Sequence, residues 1–197
     1  MMTGEVDEVI MPVSTALVVA SLALLLARVS ATWTLAAGAM LGFATLIRNS
    51  NVLIVLCVIG ALLLLRERTR ASLVAGGALA WAPATLLFWP KGYPKLHPPV
   101  FPAHPFEWRY AKVAWVHSYL WHPSVLVVLV PLALLGCFGV RSRAGLLMWP
   151  SVAATAVFYT FYELTPIHPR FLFVVLPLVL VLWVAGARRV ATTIARV

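Results

Sequence analysis

The chain has 197 residues, of which 62% are hydrophobic and 11% are charged, and its formal net charge is +9. Its mean hydropathy of +0.96 excludes an intrinsically disordered chain and argues against an ordinary water-soluble domain. The positive charge does not by itself indicate nucleic acid as a partner, because in so apolar a chain the basic residues must first be assigned to the two faces of a membrane.

Apolar segments recur along the whole chain and predict an all-α polytopic membrane protein. We expect one transmembrane domain over residues 1–197, with about seven helices and one longer loop, residues 90–122, on the outer face. The third segment has only 14 residues, which as a helix measures about 21 Å. The seven predicted spans are Val9–Leu26, Thr32–Ile47, Val52–Leu65, Ser72–Trp89, Pro123–Val140, Gly145–Phe161 and Phe171–Ala187.

The basic residues separate when the loops between these spans are assigned to alternate faces. One face receives nine Lys and Arg residues and the other receives six, out of 15 in the chain. The positive-inside rule then predicts a cytoplasmic C-terminus and an outer N-terminus. We expect the membrane to be a bacterial cell membrane. The inner arginines need no role beyond orientation and contact with anionic lipid. They are Arg28, Arg66, Arg68, Arg70, Arg141, Arg143, Arg188, Arg189 and Arg196.

Arg48 begins a polar break, Arg48-Asn49-Ser50-Asn51, between the second and third spans on the predicted outer face. A permanent charge this close to hydrocarbon is costly and usually has a function or reaches the interface by extending its side chain. One interpretation is a turn in which the asparagines supply the geometry. The other is a clamp for an anion such as a lipid-linked phosphate.

A second outer candidate is the short loop before the last span, which contains Glu163, His168, Pro169 and Arg170. A proline-shaped turn with an interfacial arginine explains this pattern. Alternatively, Arg170 contacts a phosphate and His168 supplies a proton.

Aromatic residues mark the second half of the outer loop 90–122. At 100° per residue Trp108, Trp115 and Tyr119 fall close together around a helix. They suit an interfacial aromatic belt, or a platform on which a sugar or lipid packs. The histidines of this loop lack the spacing of a metal site.

Acidic residues precede the first predicted span. Asp7 and Glu8 suit a solvated tail that helps to orient the chain. They also suit a general base or a metal-ligand carboxylate on the outer face.

Two segments resemble landmarks of the polytopic GT-C glycosyltransferases that use polyprenyl-phosphate sugars, such as the protein mannosyltransferases and aminoarabinose transferases. The first runs from Trp33 through Gly38 and Gly42 to Arg48, and continues into the next apolar helix. The second, His168-Pro-Arg-Phe-Leu-Phe-Val-Val-Leu-Pro177, is similar to a late family pattern. The resemblance covers most of the chain.

The resemblance implies transfer of a sugar from its polyprenyl-phosphate carrier to an acceptor hydroxyl on the outer face. Arg48 and Arg170 match family arginines that stabilise the departing phosphate, and a carboxylate, here Asp7 or Glu8, would accept the proton. No cofactor is implied with certainty, and a divalent metal remains open. The expected partners are the lipid-linked sugar and membrane lipids, without nucleic acid.

The family's large first outer loop, with its catalytic aspartate, has no counterpart in this sequence. We therefore expect the chain to correspond to the C-terminal portion of such an enzyme and not to transfer sugar by itself. It would be a fragment, a sequence with a mispredicted start, or one half of a split protein whose N-terminal half is encoded separately. The alternative from another class is a non-catalytic polytopic membrane subunit or a transporter fragment.

Overall fold

A computed structural model of the chain describes residues 3–27, 30–87, 108, 130–139, 143–161 and 174–195. In these ranges the chain forms helices and no strand, which confirms the predicted all-α class for this part of the protein. The helices are α1 (Thr3–Ala27), α2 (Ala31–Ile47), α3 (Val52–Leu64), α4 (Arg68–Leu79), α5 (Val130–Gly139), α6 (Arg143–Phe161) and α7 (Leu176–Ile194). Residues 82–87 are also helical.

The chain divides into two compact units, Met1–Phe106 and Glu107–Val197. The first contains α1 to α4, and the second contains α5 to α7. The assignment of residues 1–197 to a single transmembrane domain remains a prediction.

The boundaries of α2 and α3 agree with the predicted spans to within one residue, because a polar break separates two apolar runs there. The first helix differs: α1 begins at Thr3, six residues before the predicted Val9. Asp7 and Glu8 therefore belong to the first turns of a helix rather than to a tail preceding it. The backbone hydrogen bonds of a helix do not require apolar side chains. The hydropathy of the sequence therefore predicted the start of this helix too late in the chain.

The fourth predicted span, Ser72–Trp89, is wrong in its continuity. Helix α4 begins four residues earlier, at Arg68, and ends at Leu79, and Ala80 and Trp81 form a turn before helical residues 82–87. Pro83 lies at the start of this second segment. Proline has no N–H to donate to a preceding turn, so the first turn of a helix accommodates it better than an interior does.

A tight turn joins α3 to α4. The N–H of Glu67 donates to the carbonyl of Leu62 at 2.9 Å, and the N–H of Arg66 donates to the carbonyl of Leu63 at 2.9 Å. This is the Schellman pattern that ends many helices. Arg66 occupies its left-handed position with a φ of 61°.

Glycines bring α2 and α4 into backbone contact. A Cβ atom added to Gly38 would lie 2.5 Å from the carbonyl oxygen of Val74, and one added to Gly77 would lie 2.5 Å from that of Leu35. No side chain fits between the helices at these points. The order of the contacts, Gly38 with Val74 and Gly42 with Ala78, shows that α2 and α4 run parallel.

In the second unit, glycines likewise bring α5 and α7 into backbone contact. Gly136 lies against the backbone of Leu182, and Gly186 lies against the backbone of Leu132. The last predicted span also needs correction. Helix α7 begins at Leu176, five residues after Phe171, and continues to Ile194, with Pro177 in its first turn rather than in its interior.

Among the described residues, α7 is the one helix that is both long and apolar enough to cross a membrane. Shorter apolar helices are Met11–Ala27, Ala31–Ile47 and Asn49–Leu64. The number of seven spans is therefore not confirmed. Large apolar side chains are nevertheless exposed in both units, including Leu64 at 77% and Val184 at 55%. Such surface is typical of contact with lipid or with another protein.

Candidate functional site at the Arg48 turn

The polar break predicted from the sequence forms a compact turn between α2 and α3. Arg48 has an extended backbone and ends α2, and Asn49–Asn51 form a single 3₁₀ turn before Val52. The N–H of Arg48 donates to the carbonyl of Ala44 at 2.9 Å, and the N–H of Asn51 donates to the carbonyl of Arg48 at 3.0 Å. The turn therefore has a defined backbone conformation.

The Arg48 side chain is half-buried and extends toward α1. Its Nη1 atom lies 2.9 Å from Sδ of Met11. Asn51 is fully buried, and its Nδ2 donates to Oγ of Ser14 at 2.6 Å and to the carbonyl of Ala44 at 2.8 Å. The turn is thus held to α1 by side chains as well as by its own backbone. Asn51 was predicted only as a turn former, and its contact with Ser14 is not visible in local sequence.

An apolar groove of about 400 Å³ begins beside this turn. Thr45 and Val52, which lie close to Arg48 along the chain on either side, contribute to its wall. The groove continues between α3 on one side and α4 with helical residues 82–87 on the other. Its larger apolar lining residues are Val52, Val55, Leu56, Ile59, Leu79 and Leu86.

The groove offers its occupant little polar chemistry. Its two hydroxyl groups belong to Thr45 and Thr85, and each donates at 3.0 Å to the carbonyl of the residue four positions earlier, Leu41 and Trp81 respectively. The groove therefore suits hydrocarbon. The guanidinium of Arg48 contacts Met11 of α1, and Arg48 is not one of the residues that line the groove.

A second polar cluster lies at the other end of these helices, around Arg70. Its Nη1 pairs with Glu67 at 2.8 Å, its Nη2 donates to the carbonyl of Leu25 at 2.8 Å, and its Nε donates to Oγ1 of Thr34 at 3.2 Å. Because Leu25 lies in the last turn of α1, its carbonyl lacks a helical partner, and the guanidinium supplies the hydrogen bond instead.

This cluster corrects the interpretation of Arg70 as an arginine needed only for orientation and lipid contact. It is 8% exposed and connects α1, α2 and α4. Thr34 and Arg48 are 14 residues apart in the sequence, so the two polar ends are separated by about 21 Å along α2. That is shorter than a hydrocarbon core of about 30 Å.

The structure describes only some of the other predicted site residues. Asp7 and Glu8 lie in α1, and Asp7 precedes Met11 by one helical turn. Trp108 is 81% exposed, and its ring centroid lies 4.8 Å from that of Phe161 in an edge-on arrangement. Trp115, Tyr119, His168 and Arg170, together with most of the loop 90–122, lie outside the described residues. Their proposed roles remain predictions.

No group of three or more His, Cys, Asp or Glu side chains suited to a metal ion occurs in the described part of the chain. No family model matches this sequence, and no similar curated protein or solved structure was found.

Proposed function

We propose that this chain is a membrane glycosyltransferase module that binds a polyprenyl-phosphate sugar at its outer face. The observation that carries the proposal is the position of the Arg48 turn in the chain, between Thr45 and Val52, which both line a hydrocarbon groove. A polyprenyl phosphate has the same two parts in the same order, an anionic head and a long apolar chain. The groove would bind the polyprenyl hydrocarbon, and the turn would bind the phosphate.

The chemistry of Arg48 suits this role. A guanidinium presents several N–H donors in a fixed plane and keeps its charge, so it binds phosphate oxygens well. Its half-buried position strengthens that attraction relative to bulk water. The proposal places Arg170 as a second phosphate contact, with His168 as the proton donor and Asp7 or Glu8 as the base that activates an acceptor hydroxyl.

The proposal also places the protein in the membrane, with the N-terminus outside and the C-terminus in the cytoplasm. The apolar length of α7 and the exposed apolar side chains of both units support membrane association. Arg48 and Arg70 lie at opposite ends of α2, which agrees with spans that alternate between the two faces.

Photolabelling tests the proposal directly. The purified protein, in lipid nanodiscs, is exposed to a polyprenyl phosphate with a photoreactive group in its hydrocarbon chain. We expect labelling of the groove, in peptides that contain Leu56 or Leu79. Arg48→Ala removes a charged hydrogen bond of about 1.5–3 kcal/mol, which corresponds to a loss of affinity of about ten- to a hundredfold.

Two controls make the result specific. Arg68→Ala removes an exposed arginine at the start of α4, far from Arg48 along α2, and should leave the affinity unchanged. The corresponding polyprenol, which lacks the phosphate, should be insensitive to Arg48→Ala. If Arg48→Ala and Arg68→Ala bind the phosphate equally well, Arg48 does not contact it.

A non-catalytic membrane subunit is the second candidate, and the contacts between the turn and α1 favour it. Met11 and Ser14 accept contacts from the same turn that would hold a phosphate. In a purely structural turn, Arg48→Ala lowers the thermal stability without changing ligand affinity. Measuring both quantities on one preparation separates the two functions.

A further inference from the structure

A buried polar pair joins α1 to the α2–α3 turn. Ser14 and Asn51 are both 0% exposed, and the Nδ2 group of Asn51 donates to Oγ of Ser14 and to the carbonyl of Ala44. Nδ2 has two hydrogens, so these two bonds use its full donor capacity.

The other half of the amide has an unmet requirement. Oδ1 of Asn51 is buried and has no hydrogen-bond partner among the residues that the structure describes. Reversing the amide does not remove the problem, because Oδ1 would then face the carbonyl oxygen of Ala44, and two acceptors would stand at 2.8 Å. The amide orientation is therefore determined by its neighbours.

Ser14 has the complementary requirement. Its oxygen accepts from Asn51, which leaves its O–H hydrogen available as a donor. Nearby hydroxyls of α1 donate to the carbonyl four residues earlier: Thr15 to that of Met11 at 2.9 Å, and Ser21 to that of Leu17 at 2.6 Å. No such bond from Ser14 occurs within the described ranges. One buried donor and one buried acceptor thus lie beside each other.

We propose that this junction is a binding site for one water molecule, which accepts from the hydroxyl of Ser14 and donates to Oδ1 of Asn51. Water satisfies both groups at once, and buried polar groups in proteins are generally paired in this way. A phosphodiester oxygen does not, because it has no hydrogen to give to Oδ1. A metal cation does not, because it offers nothing to the Ser14 hydroxyl hydrogen and Arg48 lies in the same turn. The site does not depend on the proposed function.

The water has a consequence for Arg48. A hydrated junction makes the middle of α1 more polar than its apolar sequence suggests. It therefore reduces the cost of holding the Arg48 guanidinium against Met11, which lies about one turn before Ser14.

Water-edited solid-state NMR tests the site in the full chain, labelled with ¹³C and ¹⁵N and placed in perdeuterated lipid. At short mixing times, we expect magnetisation from water to reach Cγ of Asn51 nearly as fast as it reaches the exposed Ser30. The fully buried Leu41 supplies the dry reference. A build-up at Asn51 as slow as that at Leu41 overturns the proposal. So does transfer that occurs only when protonated lipid replaces the perdeuterated lipid.

Variants provide a matched comparison. Asn51→Leu replaces the amide by hydrocarbon of similar size, and it should slow the transfer from water to Ser14 to the rate seen at Leu41. Ser21→Ala removes a buried hydroxyl that already has a partner, and it should leave the Asn51 signal unchanged. Persistence of fast transfer to Ser14 in Asn51→Leu contradicts the proposed bridge. If Asn51→Leu does not fold, the comparison of Asn51 with Leu41 in the unaltered chain decides the question.

Discussion

Gly76 and Gly77 are adjacent in α4 but have opposite surroundings, so they form a matched pair for measuring the contact between α2 and α4. A Cβ atom at Gly77 would lie 2.5 Å from the carbonyl oxygen of Leu35 and 2.7 Å from the N atom of Ala39. A Cβ atom at Gly76 would have nothing within 4 Å. Gly76→Ala and Gly77→Ala therefore add the same methyl group to open space and to a closed backbone contact.

The expected difference follows from these distances. An ordinary carbon contact is about 3.5–4.0 Å, so Gly77→Ala forces the helices apart by about 1 Å. Overpacking of this kind costs about 1–3 kcal/mol. Both variants gain about 0.5–1 kcal/mol because alanine favours a helix more than glycine does. This gain cancels in the comparison, and Gly77→Ala should be about 1–3 kcal/mol less stable than Gly76→Ala.

Reversible unfolding in mixed detergent micelles, followed by circular dichroism, measures the two free energies of unfolding. Gly76→Ala should match or exceed the unaltered protein. Equal stability of the two variants would refute the reasoning, because it would mean that α2 and α4 do not approach as closely as their backbones indicate.

Three other changes test separate parts of the structure. Arg70→Met removes the buried cation that holds the carbonyl of Leu25, and it should cost about 1.5–3 kcal/mol in free energy of unfolding, whereas Arg68→Met at an exposed position should change stability by less than about 0.5 kcal/mol. Equal effects would contradict the Arg70 cluster. Two cysteine substitutions, in a variant without native cysteines, test whether α7 crosses the membrane. Leu180→Cys should react slowly with a water-soluble maleimide in sealed vesicles, because Leu180 lies in the apolar part of α7. Ala191→Cys lies outside that part and should react fast once the inner face is accessible. Equal rates at both positions would count against a membrane span. Gly136→Ala should destabilise the second unit as Gly77→Ala does the first, and an unchanged melting temperature would argue against close packing of α5 on α7.

Local sequence predicted the helix ends best where a short polar segment separates two apolar runs. The Arg48 break fixed the end of α2 and the start of α3, because four polar residues interrupt two apolar runs. The turn at Ala80 and Trp81 was not predicted, because the apolar run Ser72–Trp89 continues through it. The ring of Trp81 packs on that of Phe43 at a centroid distance of 4.8 Å, a contact with α2 that supports this turn.

The candidate site was predictable in part. Arg48 stood out because a charge beside apolar helices is rare. Asn51 and Arg70 were underestimated, because their importance comes from partners 37 and 36 positions away in the sequence, Ser14 and Thr34. Counting charges by loop assigns a side to an arginine but does not show what it binds. Gly38 and Gly42 lie in one predicted helix, but only the fold identifies α4 as the helix that packs against them.

The Arg66 turn has a consequence for how this protein is made. Glycine adopts the left-handed position of a Schellman turn freely, whereas a residue with a Cβ atom loses about 1–2 kcal/mol there. Arg66→Gly should therefore stabilise the folded α3–α4 hairpin. It would also remove a positive charge from the tip of that hairpin, and under the proposed membrane topology such charges direct the orientation of helices during insertion. Under that topology, the residue that best suits the folded hairpin is glycine, whereas the residue that best suits insertion is the arginine that the chain carries.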